Sequence, residues 1–211
     1  MSQTSFDAIL WDVDGTLADS EPWQARSFVL GAESLGLSLP ENFHDHIVGR
    51  SEEDNHAWLV EHCGMPLSLQ DWCDVRYREY LAAHHTEVKA IPEAFAIWTA
   101  AQETGIPQAL VSNSDRMLVQ GNIEALGIAQ PRMITVTRND VVKGKPSPEP
   151  YLRAAHLLGV APERCAVMED SPTGARAGLD AGATVFIVGP AEVPGTRPAS
   201  ALAKLLAPSA A

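Results

Sequence analysis

The segment Asp12-Val13-Asp14-Gly15-Thr16 sets two carboxylates two residues apart at the end of a short apolar run, residues 6–11. Residues at that spacing leave an extended strand on the same side. Carboxylates held so close repel unless a cation neutralises them, so a hard metal ion would complete the group. Gly15 allows a sharp turn and a close approach of backbone to a ligand. A calcium-binding EF-hand loop does not fit, because it needs Gly in sixth position and Glu in twelfth, and here Gly stands fourth. The plain alternative is an Asp-Gly turn whose acids are incidental.

Three further segments carry compatible chemistry. Ser112-Asn113-Ser114 follows the apolar run 108–111, where hydroxyl and amide groups suit a phosphate oxygen, although Ser and Asn are also ordinary turn residues. Lys145 lies in Gly144-Lys145-Pro146-Ser147-Pro148-Glu149-Pro150. The following proline favours an extended backbone at Lys145. A fixed ammonium among acids would offset their charge and hold a phosphate; an exposed loop lysine is the competing reading. The Gly-x-x-x-x-Gly-Lys-Ser/Thr phosphate loop is absent. Glu169-Asp170-Ser171-Pro172 follows the run 165–168 and precedes Thr173-Gly174-Ala175. A second acidic pair would complete a magnesium site of oxygen ligands; alternatively, Asp170 or Ser171 caps a helix.

These residues need a scaffold that brings them together. The runs 6–11, 108–111, 133–136, 165–168 and 184–188 are too short for helices, and several are rich in β-branched residues, so they read as buried strands. Between them, Gly36, Gly105, Gly127, Gly159 and Gly182 each stand just past a helical stretch and before an apolar residue, the pattern of a left-handed helix stop. Strand, helix, stop and strand is the signature of parallel βαβ units, whose ligands sit at the carboxyl ends of the strands. If the strands are neighbours, Asp12, Ser112, Lys145 and Asp170 meet at that edge. Residues 18–88 break the alternation and read as helices and loops without a strand. The fold class is therefore α/β, with a discontinuous core of 1–17 and 89–211 and a helical insertion over 18–88. The C-terminal stretch 190–211, rich in Ala and Pro, reads as loop with a short surface helix around Ala199–Leu206.

Together the four segments resemble the motifs of the haloacid dehalogenase superfamily hydrolases, in the branch that inserts a helical cap after the first motif. Asp12 to Thr16 match the first motif, Ser112 the second, Lys145-Pro146 the third and Glu169-Asp170 the fourth, in the family's order and over nearly the whole chain. The resemblance implies a Rossmann-like parallel core with an all-helical cap, and hinges at 17–20 and 87–91. It implies that Asp12 attacks phosphorus to form an aspartyl-phosphate. Asp14 would protonate the leaving oxygen and then deprotonate water. Magnesium (Mg2+) would be held by Asp12, Asp14, Asp170 and, directly or through water, Glu169. Ser112 and Lys145 would bind the phosphoryl group, with Thr16 and Asn113 beside them. Such chemistry joins covalent and general acid–base catalysis to charge neutralisation.

Within the family, Asp14 argues against dehalogenase chemistry, which needs no second aspartate. No lysine occurs over 20–88, so a Schiff-base phosphonatase does not fit. Members resembling β-phosphoglucomutase carry a histidine where this chain has Gln24 in Asp19-Ser20-Glu21-Pro22-Trp23-Gln24. A neutral amide cannot relay a proton, which demotes the mutase and favours a magnesium-dependent phosphatase of a sugar phosphate or phospho-acid. A non-catalytic binding protein on the same fold would be expected to lose Asp12, Asp14, Lys145 or Asp170, and all four are present. Substrate choice is expected from Val48-Gly49-Arg50-Ser51, where Arg50 could pair with a second anionic group, and from Gln24. Trp23 reads as a cap-core or site-lining residue. His44, His46, His56 and His62 read as a scattered polar surface rather than a metal site.

Composition narrows the partners. Acids outnumber Lys plus Arg by 27 to 15, a net charge of -12. That opposes bulk binding to nucleic acid or to an anionic membrane surface, both of which need a positive field. Twelve acids against four arginines over 20–88 place a net -8 on the insertion. Cys63, Cys73 and Cys165 are too few for a disulfide framework. With no apolar leader or spanning run in the sequence, a cytoplasmic enzyme, monomeric or a small homo-oligomer, is expected, acting on a small phosphorylated molecule.

Overall fold

A computed structural model describes residues 6–47 and 50–207. Val48 and Gly49, part of the segment expected to select substrate, lie outside the described residues. In chain order the elements are β1 Ala8–Trp11, β2 Ala18–Asp19, α1 Glu21–Ser34, α2 His44–Ile47, α3 Glu52–Cys63, α4 Leu69–Glu87, β3 Lys89–Ala90, α5 Pro92–Thr104, β4 Gln108–Val111, α6 Arg116–Ala125, β5 Ile134–Val136, α7 Glu149–Leu158, β6 Cys165–Glu169, α8 Pro172–Asp180, β7 Thr184–Ile187, β8 Arg197–Pro198 and α9 Ala199–Leu206. The chain divides into two units, one of Met1–Asp19 with Val88–Ala211 and one of Ser20–Glu87.

In the first unit six strands pair in the order β5-β4-β1-β6-β7-β8, all parallel. β1 is central and nearly inaccessible along its length, from Ala8 at 0% to Leu10 at 1% exposure. A strand covered on both faces needs no polar alternation, which is why residues 8–11 read as a continuous apolar run. One face of the sheet packs Leu10, Val111 and Val167 against Tyr151, Ala154 and Ala155 of α7 and Ala175 and Ala177 of α8. On the other, Trp11 meets Trp98 of α5 edge to face, ring centroids 5.4 Å apart, while its indole N–H donates to Gln108 Oε1 at 2.8 Å. Gly105 and Gly159 close α5 and α7 in the left-handed conformation, as the glycine stops predict.

Three short elements depart from the sequence reading. β2 and β3 pair antiparallel, with Ala18 opposite Ala90 and Asp19 opposite Lys89. Residues 18 and 19 are thus strand and belong to the sheet-bearing unit. β8 adds a sixth strand inside the C-terminal stretch that reads as loop. Strands of two residues carry no periodic signal.

In the helical unit, Phe28, Trp58, Leu59, Met65 and Trp72 form a separate core. Of its histidines, His44 and His62 are exposed and His46 and His56 half-buried, and the rings of His46 and His62 both stack on the Trp58 ring, at 4.8 and 5.1 Å between centroids. Among the described residues no helix is long and apolar enough to cross a membrane.

Candidate active site

The carboxyl ends of β1, β4 and β6, with the loop before α7, gather the chemistry in one place. Asp12 follows β1 and its N–H continues the sheet by donating to the Met168 carbonyl at 2.9 Å. Its Oδ1 accepts from Lys145 Nζ at 2.6 Å. The same ammonium donates to Glu169 Oε1 at 2.7 Å and to the Val111 carbonyl at 2.9 Å, so its three protons have three acceptors. It also lies 4.8 Å from the centre of the Tyr151 ring. Asp12, Lys145 and Glu169 are all buried.

Burial shifts their proton affinities. Loss of solvent, reinforced by the Glu169 charge, pushes the Asp12 carboxyl well above the usual carboxylate range, with the Lys145 ammonium acting in the opposite direction. Burial disfavours the Lys145 ammonium, but the Asp12 and Glu169 charges outweigh it and hold its pKa above the ordinary lysine value. Burial first, and then the Glu169 charge, raise the Tyr151 phenol well above its usual range, so Tyr151 stays a protonated donor at neutral pH.

Lys145 is fixed through its backbone. Asn113 accepts from the Lys145 N–H at 2.8 Å and donates to its carbonyl at 3.0 Å. A Cβ on Gly144 would come within 2.7 Å of Asn113 Oδ1. Asn113 was expected among the phosphate-binding groups; here both ends of its amide are spent on holding Lys145. The Thr16 hydroxyl donates to Asp170 Oδ1 at 3.1 Å.

Glu169, at 0% exposure, is the most enclosed acid. Oε1 accepts from Lys145 and from the Tyr151 hydroxyl at 2.7 Å, and Oε2 accepts from the Ser171 hydroxyl at 3.0 Å and the Asp170 and Ser171 N–H groups at 3.2 and 3.3 Å. The carboxylate therefore acts here as the counter-charge of Lys145. Ser171 is also the N-cap of α8, accepting from the Gly174 N–H at 3.0 Å, so the helix-cap reading and the acidic-site reading hold together.

A divalent cation fits this set. Asp12 Oδ2 is buried with no hydrogen-bond partner, a costly state that a cation would relieve. Carboxylate oxygens of Asp12, Glu169 and Asp170 lie within 4.8 Å of one another. All are hard oxygen donors of the kind magnesium takes. Gly15, at φ +82°, passes so close that a Cβ there would sit 2.4 Å from Asp170 Oδ2. The glycine is demanded both by its left-handed backbone and by the acid it adjoins.

Asp14 points to a different set of partners. Its Oδ2 accepts from Ser112 at 2.8 Å and Ser114 at 2.9 Å, and its Oδ1 accepts from Asn122 Nδ2 at 2.9 Å. Ser112, expected to hold the phosphoryl group, donates in this structure to Asp14 and accepts from the Ser114 N–H at 2.9 Å.

Residues 6–182 match the model of the haloacid dehalogenase-like hydrolases. The chain belongs to that family. It is 35% identical over 199 residues to hexitol phosphatase A of Escherichia coli, covering 88% of this chain and 84% of that protein. The crystal structure of CbbY from Rhodobacter sphaeroides in complex with phosphate superposes with a TM-score of 0.81 at 26% identity, over 90% of this chain and 92% of that one. A putative β-phosphoglucomutase from Thermotoga maritima gives 0.73 at 27% identity, over 95% and 92%. This haloacid dehalogenase-like hydrolase is thus an enzyme of a group whose characterised relatives include phosphatases.

Two residues expected to select substrate lie in the helical unit of the hydrolase. Gln24 is half-buried, and its Oε1 accepts from Arg76 Nη1 at 3.0 Å. Arg76, at 0% exposure, also pairs with Glu52 and sits 4.4 and 4.8 Å from the Phe28 and Tyr77 ring centres. Arg50 is exposed. Trp23 donates its indole N–H to the Tyr80 carbonyl at 2.8 Å. Sequence reasoning missed Tyr151, Asn122 and Arg76. Tyr151 lies on the apolar face of α7 and reads as core. Asn122 had a signal, a poor helix former in the interior of an otherwise apolar helix face.

Proposed function

We propose that this hydrolase is a magnesium-dependent phosphatase that cleaves a small phosphorylated metabolite, a sugar phosphate or phospho-acid, through an aspartyl-phosphate on Asp12. The observation that carries the reading is the pairing at Asp12, where one oxygen is held by the buried Lys145 ammonium and the other is buried without a partner beside Asp170. Asp12 Oδ2, Asp170 and the Asp14 carbonyl would hold the ion, which when bound supplies charge to neutralise the phosphoryl oxygens. The Asp12 carboxylate attacks phosphorus while Asp14 gives a proton to the departing ester oxygen. Asp14 then takes a proton from the water that attacks phosphorus, releasing phosphate and restoring Asp12. Lys145 keeps its charge throughout, offsetting Asp12 and the incoming phosphoryl group. Ser112, with Ser114, is placed at the carboxyl end of β4, where its hydroxyl can exchange Asp14 for a phosphoryl oxygen. Gln24 and Arg50, both in the helical unit, are the residues we assign to substrate choice. A cytoplasmic setting agrees with the reduced cysteines.

The phosphomutase is the second reading, favoured by the likeness to the putative β-phosphoglucomutase. Against it, Gln24 is a neutral amide hydrogen-bonded to a buried arginine, so no proton relay stands at that position. The test is phosphate release with magnesium over a panel of sugar phosphates, phosphoglycolate, phosphogluconate and nucleotides. Release from a sugar phosphate or phospho-acid is expected. Conversion of β-glucose 1-phosphate to glucose 6-phosphate faster than phosphate forms would establish the mutase, and no release from any compound would overturn the phosphatase.

A further inference from the structure

Asn122 is inaccessible to solvent, lies in the second turn of α6, and spends its side-chain N–H on Asp14 Oδ1 at 2.9 Å. A buried amide in a helix interior costs stability twice, through poor helix propensity and through desolvation, unless a strong partner repays it. Leucine or alanine at 122 would extend the apolar face formed by Leu118, Val119 and Ile123. The partner Asn122 finds is an ionisable carboxylate at the reacting edge of the sheet, 108 residues away in sequence. The other Asp14 oxygen is held from the same loop and helix, by Ser112 at 2.8 Å and Ser114 at 2.9 Å. Donors on both oxygens restrict rotation about the Cβ–Cγ bond of Asp14 more than the hydroxyls on one oxygen would alone.

We propose that Asn122, together with Ser114, is a positioning residue that aims the Asp14 carboxyl group at the departing ester oxygen. The inference rests on the reading of Asp14 as the proton donor. In that step the P–O ester bond breaks, its electron pair goes to the ester oxygen, the Asp14 proton moves to that oxygen, and the Asp12–phosphorus bond forms. Asn122 touches neither substrate nor phosphorus. Its loss should therefore matter in proportion to how much the leaving group needs a proton.

The readout is kcat/KM of Asn122→Leu on two esters, the most rapidly released sugar phosphate of the panel and 2,4-dinitrophenyl phosphate, whose leaving group departs as a stable anion. That ratio reports the steps up to departure of the leaving group and not the later hydrolysis of the aspartyl-phosphate that both esters share. General acid catalysis contributes roughly 10²–10⁴-fold, so kcat/KM on the sugar phosphate should fall about tenfold or more, and on the dinitrophenyl ester at least about fivefold less. Equal losses on both esters, or no loss on either, would overturn the proposal and leave Asn122 a structural residue. Ser114→Ala, at a half-buried hydroxyl, carries the same test if Asn122→Leu does not fold, with the same selective loss expected and an equal loss overturning it. Asp14→Asn is measured alongside. If it shows the leaving-group dependence and Asn122→Leu does not, the positioning role alone fails; if Asp14→Asn shows none, the proton-donor reading fails and the proposal with it.

Discussion

Replacing Gly174 by alanine tests how tightly the buried acid of the site is enclosed. A Cβ at that position would lie 1.7 Å from Glu169 Oε1, 2.0 Å from Cδ and 2.3 Å from Oε2. Glu169 has no room to step aside, because its oxygens accept from Lys145, Tyr151 and Ser171. Ordinary contact requires the carboxylate to move by more than ~1 Å, which breaks the 2.7 Å bonds to Lys145 and Tyr151. Breaking a buried ion pair costs about 3–5 kcal/mol, while Gly→Ala in a helix returns about 1 kcal/mol. The net loss should be about 2–4 kcal/mol in urea unfolding, with turnover falling as Lys145 loses a partner. Gly159→Ala is the control. That glycine has φ +70° and nothing within 4 Å of the added Cβ, so only backbone strain of about 1–2 kcal/mol applies, and turnover should persist. A Gly174→Ala protein within about 1 kcal/mol of wild type and fully active would refute the reasoning, since Glu169 would then be free to move.

Other outcomes follow from the same geometry. Tyr151→Phe removes a donor from a buried carboxylate and should cost about 1–3 kcal/mol in urea unfolding. At Asp140, burial pushes the carboxyl up, but hydrogen bonds from Thr137 and the Arg116 guanidinium outweigh it and hold the pKa below its usual value. A carboxylate with a depressed folded pKa adds stability above its unfolded pKa of about 3.9, and loses it as pH falls through the folded value. Wild type should therefore melt above Asp140→Asn at pH near 7, with the gap closing in acid; a gap constant with pH contradicts the assignment. Chelation by EDTA should abolish phosphate release and magnesium should restore it, whereas calcium should restore it poorly because its coordination is looser. Full activity in EDTA would remove the metal from the account.

Much of the scaffold was legible because its signals are local. The strand at 108–111 and the helix at 199–206 fall where the apolar runs place them, since a buried parallel strand shows as an unbroken apolar stretch. The acids and the serine announced themselves by following those runs, and the lysine by the proline that comes after it. What escaped depends on partners far away in sequence. Tyr151 and Glu169 meet across 18 residues, Asn122 and Asp14 across 108, and neither pairing has a spacing rule. The hydrogen bonds of Thr16 to Asp170 and of Asn113 to the Lys145 backbone likewise cross 154 and 32 residues and have no signal in the sequence. Arg76 looked like any charged helix residue, yet it is wholly buried between aromatic rings, which only the packing of α1 on α4 produces.

The central claim is that Asp12 carries the phosphoryl group. An acyl phosphate is reduced by borohydride to an alcohol, which converts the aspartate to homoserine. Enzyme mixed with magnesium and a turned-over sugar phosphate, quenched in borohydride and mapped by peptide mass spectrometry, should show homoserine at position 12, and none when substrate or metal is withheld. Homoserine at Asp14 or Asp170 instead, or turnover without modification at position 12, would contradict the account.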